Sequence, residues 1–323
     1  MRFSKLGKRG PEVSTVGFGA WAIGGMNWGK TDDKISLNAL NEAIEQGVTL
    51  IDTADVYGFG HSEELISKVI KKYGKENIII ATKAGNDFYN ATNEDDAGYG
   101  AIKQTYSKEY IISAAEKSLK RLGVEKLDIL QLHSPDVEKL ERDEPWEALE
   151  KLKQDGKILH AGWSVQSFKE TEQSHILDQH HELIDVLQVR YNLLEREAEK
   201  VLFPKAIEYG TGIIVRIPLL FGFLTGKFNS DSKFSDEDHR SMNLSSEKLK
   251  KYLSDLEKVK PLFKKYSDHK MGVTSLRFCI SHPACHTVIP GAKTPKQVRE
   301  NCLASDLGKI QLDDIPELLN SEQ

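Results

Sequence analysis

The chain is short of the features that mark most specialised protein classes. Its three cysteines, Cys279, Cys285 and Cys302, are an odd set with no C-x-x-C pair. That rules out a disulfide-stapled scaffold and a cysteine zinc site, and it fits reduced thiols in a cytosol-like compartment. The longest apolar run, GIIVRIPLLFGFL, is too short to span a bilayer and carries Arg216. The amino-terminal MRFSKLGKRG has basic residues but lacks the apolar centre of a signal peptide. A formal net charge of -5 gives no reason to expect nucleic acid or an anionic membrane as partner. No linker, internal repeat or low-complexity tract divides the 323 residues, so one domain over 1–323 is expected. The expectation is a soluble, cytoplasmic protein, monomeric or a small homo-oligomer.

What is present is a regular alternation. After an expected hairpin in RFSKLGKRGPEVS, eight short runs recur: STVGFGA, TLIDTA, NIIIATK, LDILQLH, ILHAGWSV, DVLQVRY, GIIVRIP and HTVIPGA. Segments of helical period lie between them. In SKEYIISAAEKSLKRLG, Ile111, Ala115, Leu119 and Leu122 mark one face, Ser107 is a candidate N-cap and Gly123 the stop. EPWEALEKLKQDGK repeats the plan, and TPKQVRENCLAS supplies the last helix. Strands apolar on both faces and separated by helices imply parallel pairing with right-handed crossovers. Eight units point to an α/β fold, a closed (β/α)8 TIM barrel with an N-terminal β-hairpin. Periodicity alone leaves an open doubly wound sheet in play, although GFGAWAIGG lacks the G-x-G-x-x-G spacing common in such sheets. Two connections exceed the plain plan, residues 84–106 and 219–246, the second leading into an extra helix, SEKLKKYLSDLEKVKPLFKKY. Both leave the carboxyl ends of strands, where barrels build their sites.

The strand ends concentrate reactive groups. The second strand ends at Asp52 with Tyr57 in the turn beyond, the third places Lys83 at its tip, and the fourth places His133 there. An acid in a turn, a snorkelling lysine and a core histidine each have bland explanations. Three consecutive strand tips presenting an acid, a phenol, an amine and an imidazole to one rim make coincidence the weaker explanation. Asp55 is assigned only to a turn or polar network.

The motifs IDTADVYG, ATKAG, LQLHSPD, GWS, LQVRYN, PLLFGFLTGK and IPGAKTPKQVREN, in that order and spacing, resemble the aldo-keto reductase superfamily over essentially the whole chain. The resemblance is closest to bacterial and potassium-channel β-subunit-like members. It implies an NADP-dependent oxidoreductase that moves a hydride reversibly between nicotinamide C4 and the carbonyl carbon of an aldehyde or ketone. By the same resemblance Tyr57 is the general acid and Asp52, Lys83 and His133 complete a tetrad, with no metal. A buried Lys83 ammonium stabilises phenolate, and a charged Asp52 keeps that ammonium in place.

The resemblance further assigns cofactor contacts. Gly19, Ala20, Trp21 and Asp52 lie at the first two strand ends; Ser164 and Gln188 match residues that hold the nicotinamide carboxamide. Val165 stands where relatives carry Asn or Arg, and Arg216 where they place an aromatic ring against the nicotinamide; a guanidinium plane can stack there instead. Pro218, Leu219 and Lys227 match a loop around the pyrophosphate. Gly291 precedes a helix whose N-terminus favours phosphate. Lys293, Thr294 and Gln297 match positions near a 2′-phosphate, and Glu300 and Asn301 the adenine. Lys293 directs the choice to NADPH/NADP+ over NADH. Other readings are an NADPH-binding regulatory or sensor subunit with little turnover, and a Schiff-base lyase using Lys83. A metal hydrolase would need more rim histidines than the strand tips offer.

Overall fold

The structure, a computed structural model, describes residues 1–25, 28, 31–89, 102–235 and 238–315. Residues 90–101 of the first long connection lie outside the described residues. β1 (Phe3–Lys5) and β2 (Glu12–Ser14) form the antiparallel hairpin. Eight parallel strands follow: β3 (Phe18–Gly19), β4 (Leu50–Asp52), β5 (Ile79–Ala84), β6 (Leu127–His133), β7 (Ile158–Ser164), β8 (Ile184–Arg190), β9 (Gly212–Arg216) and β10 (Thr287–Val288). They pair in sequence order from β3 to β10. Parallel bridges Val16–Val288 and Gly19–Gly291 join the last strand to the first, and the Gly17 amide donates to the Val288 carbonyl at 2.7 Å. This closes the barrel and removes the open-sheet alternative.

The expected helices form where their signals stand. α1 (Asp33–Glu45) and α2 (His61–Tyr73) follow β3 and β4. α3 (Lys108–Leu122) begins at Ser107, whose hydroxyl accepts from the Tyr110 amide, and stops at Gly123. α4 (Val137–Leu140) is a single turn, and α5 (Glu144–Gln154), α6 (Ser174–His180) and α7 (Leu202–Tyr209) complete the next crossovers. After β9 come α8 (Arg240–Asn243), the extra α9 (Ser246–Lys265) and α10 (Met271–Ser281), and α11 (Pro295–Leu307) follows β10. No helix of the described residues is long and apolar enough to cross a membrane.

Strand alternation sorts side chains between two cores. Ile51, Ile80, Leu130, Leu132 and Leu187 face the helices. Leu50, Ala81, Ile129, Val186 and Ile214 face inward and form a layer inside the barrel. Leu6 and Val13 of the hairpin pack against that layer and plug the amino-terminal end. The polar inward residues therefore stand above it, toward the carboxyl ends.

Asp185, at the amino-terminal end of β8, holds the plug in place. Its buried carboxylate accepts from Arg9 of the hairpin (2.7 Å), Lys153 of α5 (2.8 Å) and the Ala161 amide (3.1 Å). Despite its burial, these partners, with His160, hold the carboxyl well below its ordinary range. A lowered carboxyl pKa stabilises the fold above the unfolded-state value near ~4, and that stabilisation is lost as pH falls from there through the lower folded-state value. Asp185→Asn is expected to cost about 3 kcal/mol at neutral pH, the lower end for a broken buried pair, because Arg9 and Lys153 can turn to solvent. The loss should shrink as pH falls below ~4. Urea unfolding of both proteins at two pH values measures it.

Candidate active site

Asp52 and Lys83 meet inside the rim. The Lys83 ammonium donates to both Asp52 carboxylate oxygens, at 2.9 and 2.8 Å, and to the Thr53 carbonyl at 2.7 Å. From the opposite wall the Gln188 amide donates to Asp52 Oδ1 at 2.5 Å. Both charged groups are buried, 3% and 1% exposed. Burial pushes the Asp52 carboxyl up and the Lys83 ammonium down, and the attraction and hydrogen bonds between them oppose both shifts.

Tyr57 lies in the turn after β4, and its ring centroid is 5.2 Å from Lys83 Nζ. Trp21 stacks alongside it with centroids 6.2 Å apart, and the His133 imidazole stands edge-on at 5.8 Å. The His133 backbone is fixed from the first long connection, where the Tyr106 hydroxyl donates to its carbonyl at 2.6 Å. Burial, then the charges of Lys83 and Arg216, pull the imidazole well below its ordinary 6.5, so it is neutral at physiological pH. A phenol flanked by a buried ammonium and a neutral imidazole makes a proton-donor set aimed at one space.

That space is a cavity of about 1230 Å³, lined by Asp52, Tyr57 and His133, with Lys83 behind them. Its volume exceeds the ~300–1,000 Å³ of ordinary small-molecule pockets, leaving room for a dinucleotide beside a substrate. Ser164, Gln188, Arg216, Pro218, Leu219 and Gly19 also line it. The Arg216 guanidinium is held by the Val165 carbonyl (2.8 Å) and the Ser167 hydroxyl (2.9 Å). Val165 itself is buried in the shell between barrel and helices, and its side chain does not line the cavity.

The far end of the cavity is electropositive. Lys227, Arg240 and Lys293 line it, with Asp238 paired to Arg240 at 2.5 Å. Burial lowers the pKa of Lys227 and of Lys293, and Arg240 lowers both further. Lys293 Nζ donates to the Trp28 carbonyl at 2.7 Å, and the residues at Trp28 and Asp238 bridge antiparallel, bringing the segments after β3 and β9 together beside it. The His239 ring lies 4.3 Å from that of Trp28 and 4.5 Å from that of Trp21. Gln297, Glu300 and Asn301 of α11 complete this end. A Cβ on Gly291 would meet nothing closer than 3.8 Å, so the protein's own packing does not require glycine there; the backbone stays bare toward the cavity. Backbone strain gathers at the same rim. Ser134, Phe168, Ile217 and Phe221 all line the cavity with positive φ, which costs of order 1–3 kcal/mol each.

Two residues assigned to the cofactor stand elsewhere. Ala20 opens a short 3-10 turn that rotates its side chain into the core, where it is fully buried away from the cavity. Thr294 caps α11, its hydroxyl oxygen accepting from the Gln297 amide. Gly19 lines the cavity, but its glycine is required by barrel closure, since a Cβ would stand 2.6 Å from the Ile289 carbonyl. Trp28, Phe168 and Arg240 line the cavity without having been singled out. Trp28 and Phe168 sit in aperiodic connections and Arg240 opens the single-turn α8, where nothing in the local pattern distinguishes a cavity residue from a surface one. Asp55 belongs to a buried network: Tyr89 links it to Arg121, and Arg121 Nε donates to Glu63 at 2.6 Å. That network anchors the first long connection to the barrel.

The aldo/keto reductase family model matches residues 15–320. The aldo-keto reductase YhdN of Bacillus subtilis is 33% identical over 92% of this chain and 87% of its own. The NADH-specific methylglyoxal reductase of Escherichia coli is 30% identical over 97% and 96%. The solved glycerol dehydrogenase AKR11B4 of Gluconobacter oxydans superposes with a TM-score of 0.79 at 29% identity, covering 97% of this chain and 92% of its own. With the closed barrel, the rim of Asp52, Tyr57, Lys83 and His133 and matches of this extent, the chain belongs to the aldo/keto reductase family.

Proposed function

We propose that the protein is an NADPH-dependent carbonyl reductase in which Tyr57 is the general acid. The observation that carries this reading is one cavity with two chemically different ends: Tyr57 and His133 backed by Lys83–Asp52 at one, and Lys227, Arg240 and Lys293 at the other. Bound NADPH would supply hydride to the carbonyl carbon of an aldehyde or ketone. As the oxygen gains negative charge, Tyr57 donates its proton to it, and the phenolate left behind is stabilised by the adjacent ammonium of Lys83. His133, neutral, donates an N–H to the same oxygen and orients it. Ser164 and Gln188 face the nicotinamide end, with Arg216 replacing the usual aromatic ring. Lys293 and the N-terminus of α11 favour a 2′-phosphate. A regulatory subunit with little turnover would have no use for a buried ammonium beside Tyr57. NADPH oxidation across aldehydes, ketones and sugars tests the assignment; no oxidation with any of them would reject it.

Tyr57→Phe is expected to lower carbonyl reduction by about 10²–10⁴-fold, the usual worth of positioned acid catalysis, while NADPH binding is kept. Single-turnover rates and cofactor titration separate the two effects, and wild-type turnover would remove Tyr57 as the acid.

Lys83→Met leaves the Asp52 carboxylate buried without its counter-charge. It should lose most activity, cost about 3–5 kcal/mol of stability and move the alkaline limb of the pH–rate profile upward. A variant with the wild-type profile would show that Lys83 does not govern the proton donor.

For Lys293→Ala, the loss of one charge-assisted contact, worth roughly 1.5–3 kcal/mol, predicts NADPH binding weaker by about tenfold. Partial exposure of the site keeps the effect at the lower end, and NADH binding should be nearly unchanged. Fluorescence-quenching titrations with both cofactors decide it; equal losses, or a wild type that prefers NADH as the Escherichia coli relative's name specifies, would overturn the choice.

A further inference from the structure

Gln131 is a buried polar side chain that the mechanism above leaves without a role. It lies on β6, two residues before His133, and its side chain is 0% exposed. Strand parity sets its direction: Ile129 faces the barrel interior, so Gln131 and His133 face it too, one above the other. In the ladder Gln131 is in register with Lys83 on one side and with Gly162 on the other. Gln131 therefore stands level with Lys83 and one inward position below His133, with no side chain flanking it on the β7 side.

Neither amide atom of Gln131 has a hydrogen-bond partner among the described residues, and neither does His133 Nδ1, also buried. Orphaned polar atoms of this kind cost about 1–3 kcal/mol each, and natural interiors almost always satisfy them through protein or ordered water. The nearby donors are engaged elsewhere. Lys83 gives its protons to Asp52 and Thr53, Gln188 gives its amide to Asp52, and the Ser134 hydroxyl donates to that of Ser164 at 3.3 Å. A buried water needs two to four polar partners, and the Gln131 amide with His133 Nδ1 supplies up to three.

We propose that Gln131 is a positioning residue: it holds one internal water that donates to His133 Nδ1 and so fixes the imidazole as the tautomer protonated on Nε2. The proposal rests on reading His133 as the hydrogen-bond donor to the carbonyl oxygen. A neutral imidazole has one N–H. For that proton to face the cavity, Nδ1 must be the acceptor, and an acceptor at this depth needs a donor. Gln131 Nε2–H to water, and water O–H to Nδ1, makes the chain. Without the amide the water loses its anchor, and the proton divides between the two ring nitrogens.

The test uses ¹⁵N-histidine-labelled full-length protein with NADP+ bound, where ring-nitrogen shifts report tautomer directly. His133 is assigned among the ten histidines by the signal lost in His133→Asn. Wild type is expected to show proton on Nε2, and Gln131→Met, which fills the same space without polar atoms, a mixture of tautomers. In the same variant kcat should fall about tenfold, less than loss of the acid itself, with NADPH affinity unchanged. Unfolding stability should change little, because methionine fills the space and the amide and its water leave together; a merely structural role would lower stability and activity together. Proton on Nε2 in both proteins, or an unchanged kcat, would overturn this inference alone. Proton on Nδ1 in the wild type would overturn it together with the donor role of His133.

Discussion

The contact between the Lys83 ammonium and the Asp52 carboxylate is the constraint around which the site is arranged. Taking either charge out of water costs several kcal/mol, and mutual attraction offsets that only with good geometry and satisfied hydrogen bonds. Here the ammonium meets both carboxylate oxygens and the Thr53 carbonyl, and Asp52 also receives the Gln188 amide. Gln188 is 136 positions away in sequence and four strands away around the sheet. Only a closed barrel brings it face to face with Asp52. Closure in turn depends on the glycine at position 19, where the first strand approaches the Ile289 carbonyl too closely for any side chain.

The pair also sets the electrostatics of the rim. Burial, then the Lys83 ammonium and Arg216, pull His133 toward the neutral form, and the same ammonium faces the Tyr57 ring. Three further cations, Lys227, Arg240 and Lys293, are gathered at the other end of the cavity around Trp28 and Phe228. Positive charge at both ends suits a ligand that develops negative charge at one extremity and carries it permanently at the other. The left-handed backbone at Ile217 and Phe221, in the turn after β9, shows that this geometry is held against local preference by the surrounding packing.

Much of this could be read from the chain itself. The eight β-branched runs gave the strand count and order, and Ser107 and Gly123 bracket α3 because capping is a local interaction. Asp52, Lys83 and His133 were legible because each ends a strand, and strand ends of a barrel share one rim. Arg240 and Trp28 were not, because their place depends on how the segments after β3 and β9 pair with each other. The burial of the Ala20 side chain was not legible for a related reason: being next to Gly19 and Trp21 in sequence does not say which way a 3-10 turn rotates each side chain.

The sequence by itself determined the alternation of elements, the inward and outward faces of each strand and the identity of the groups at the strand tips. These follow from periodicity and local capping, which act over a few residues. Tertiary structure alone decided that the sheet closes, that Gln188 binds Asp52, that Val165 faces away from the cavity and that Gln131 lies beneath His133 among groups already engaged. Those facts depend on the register between strands far apart in the chain and on which polar atoms burial leaves without partners. No local pattern encodes either one.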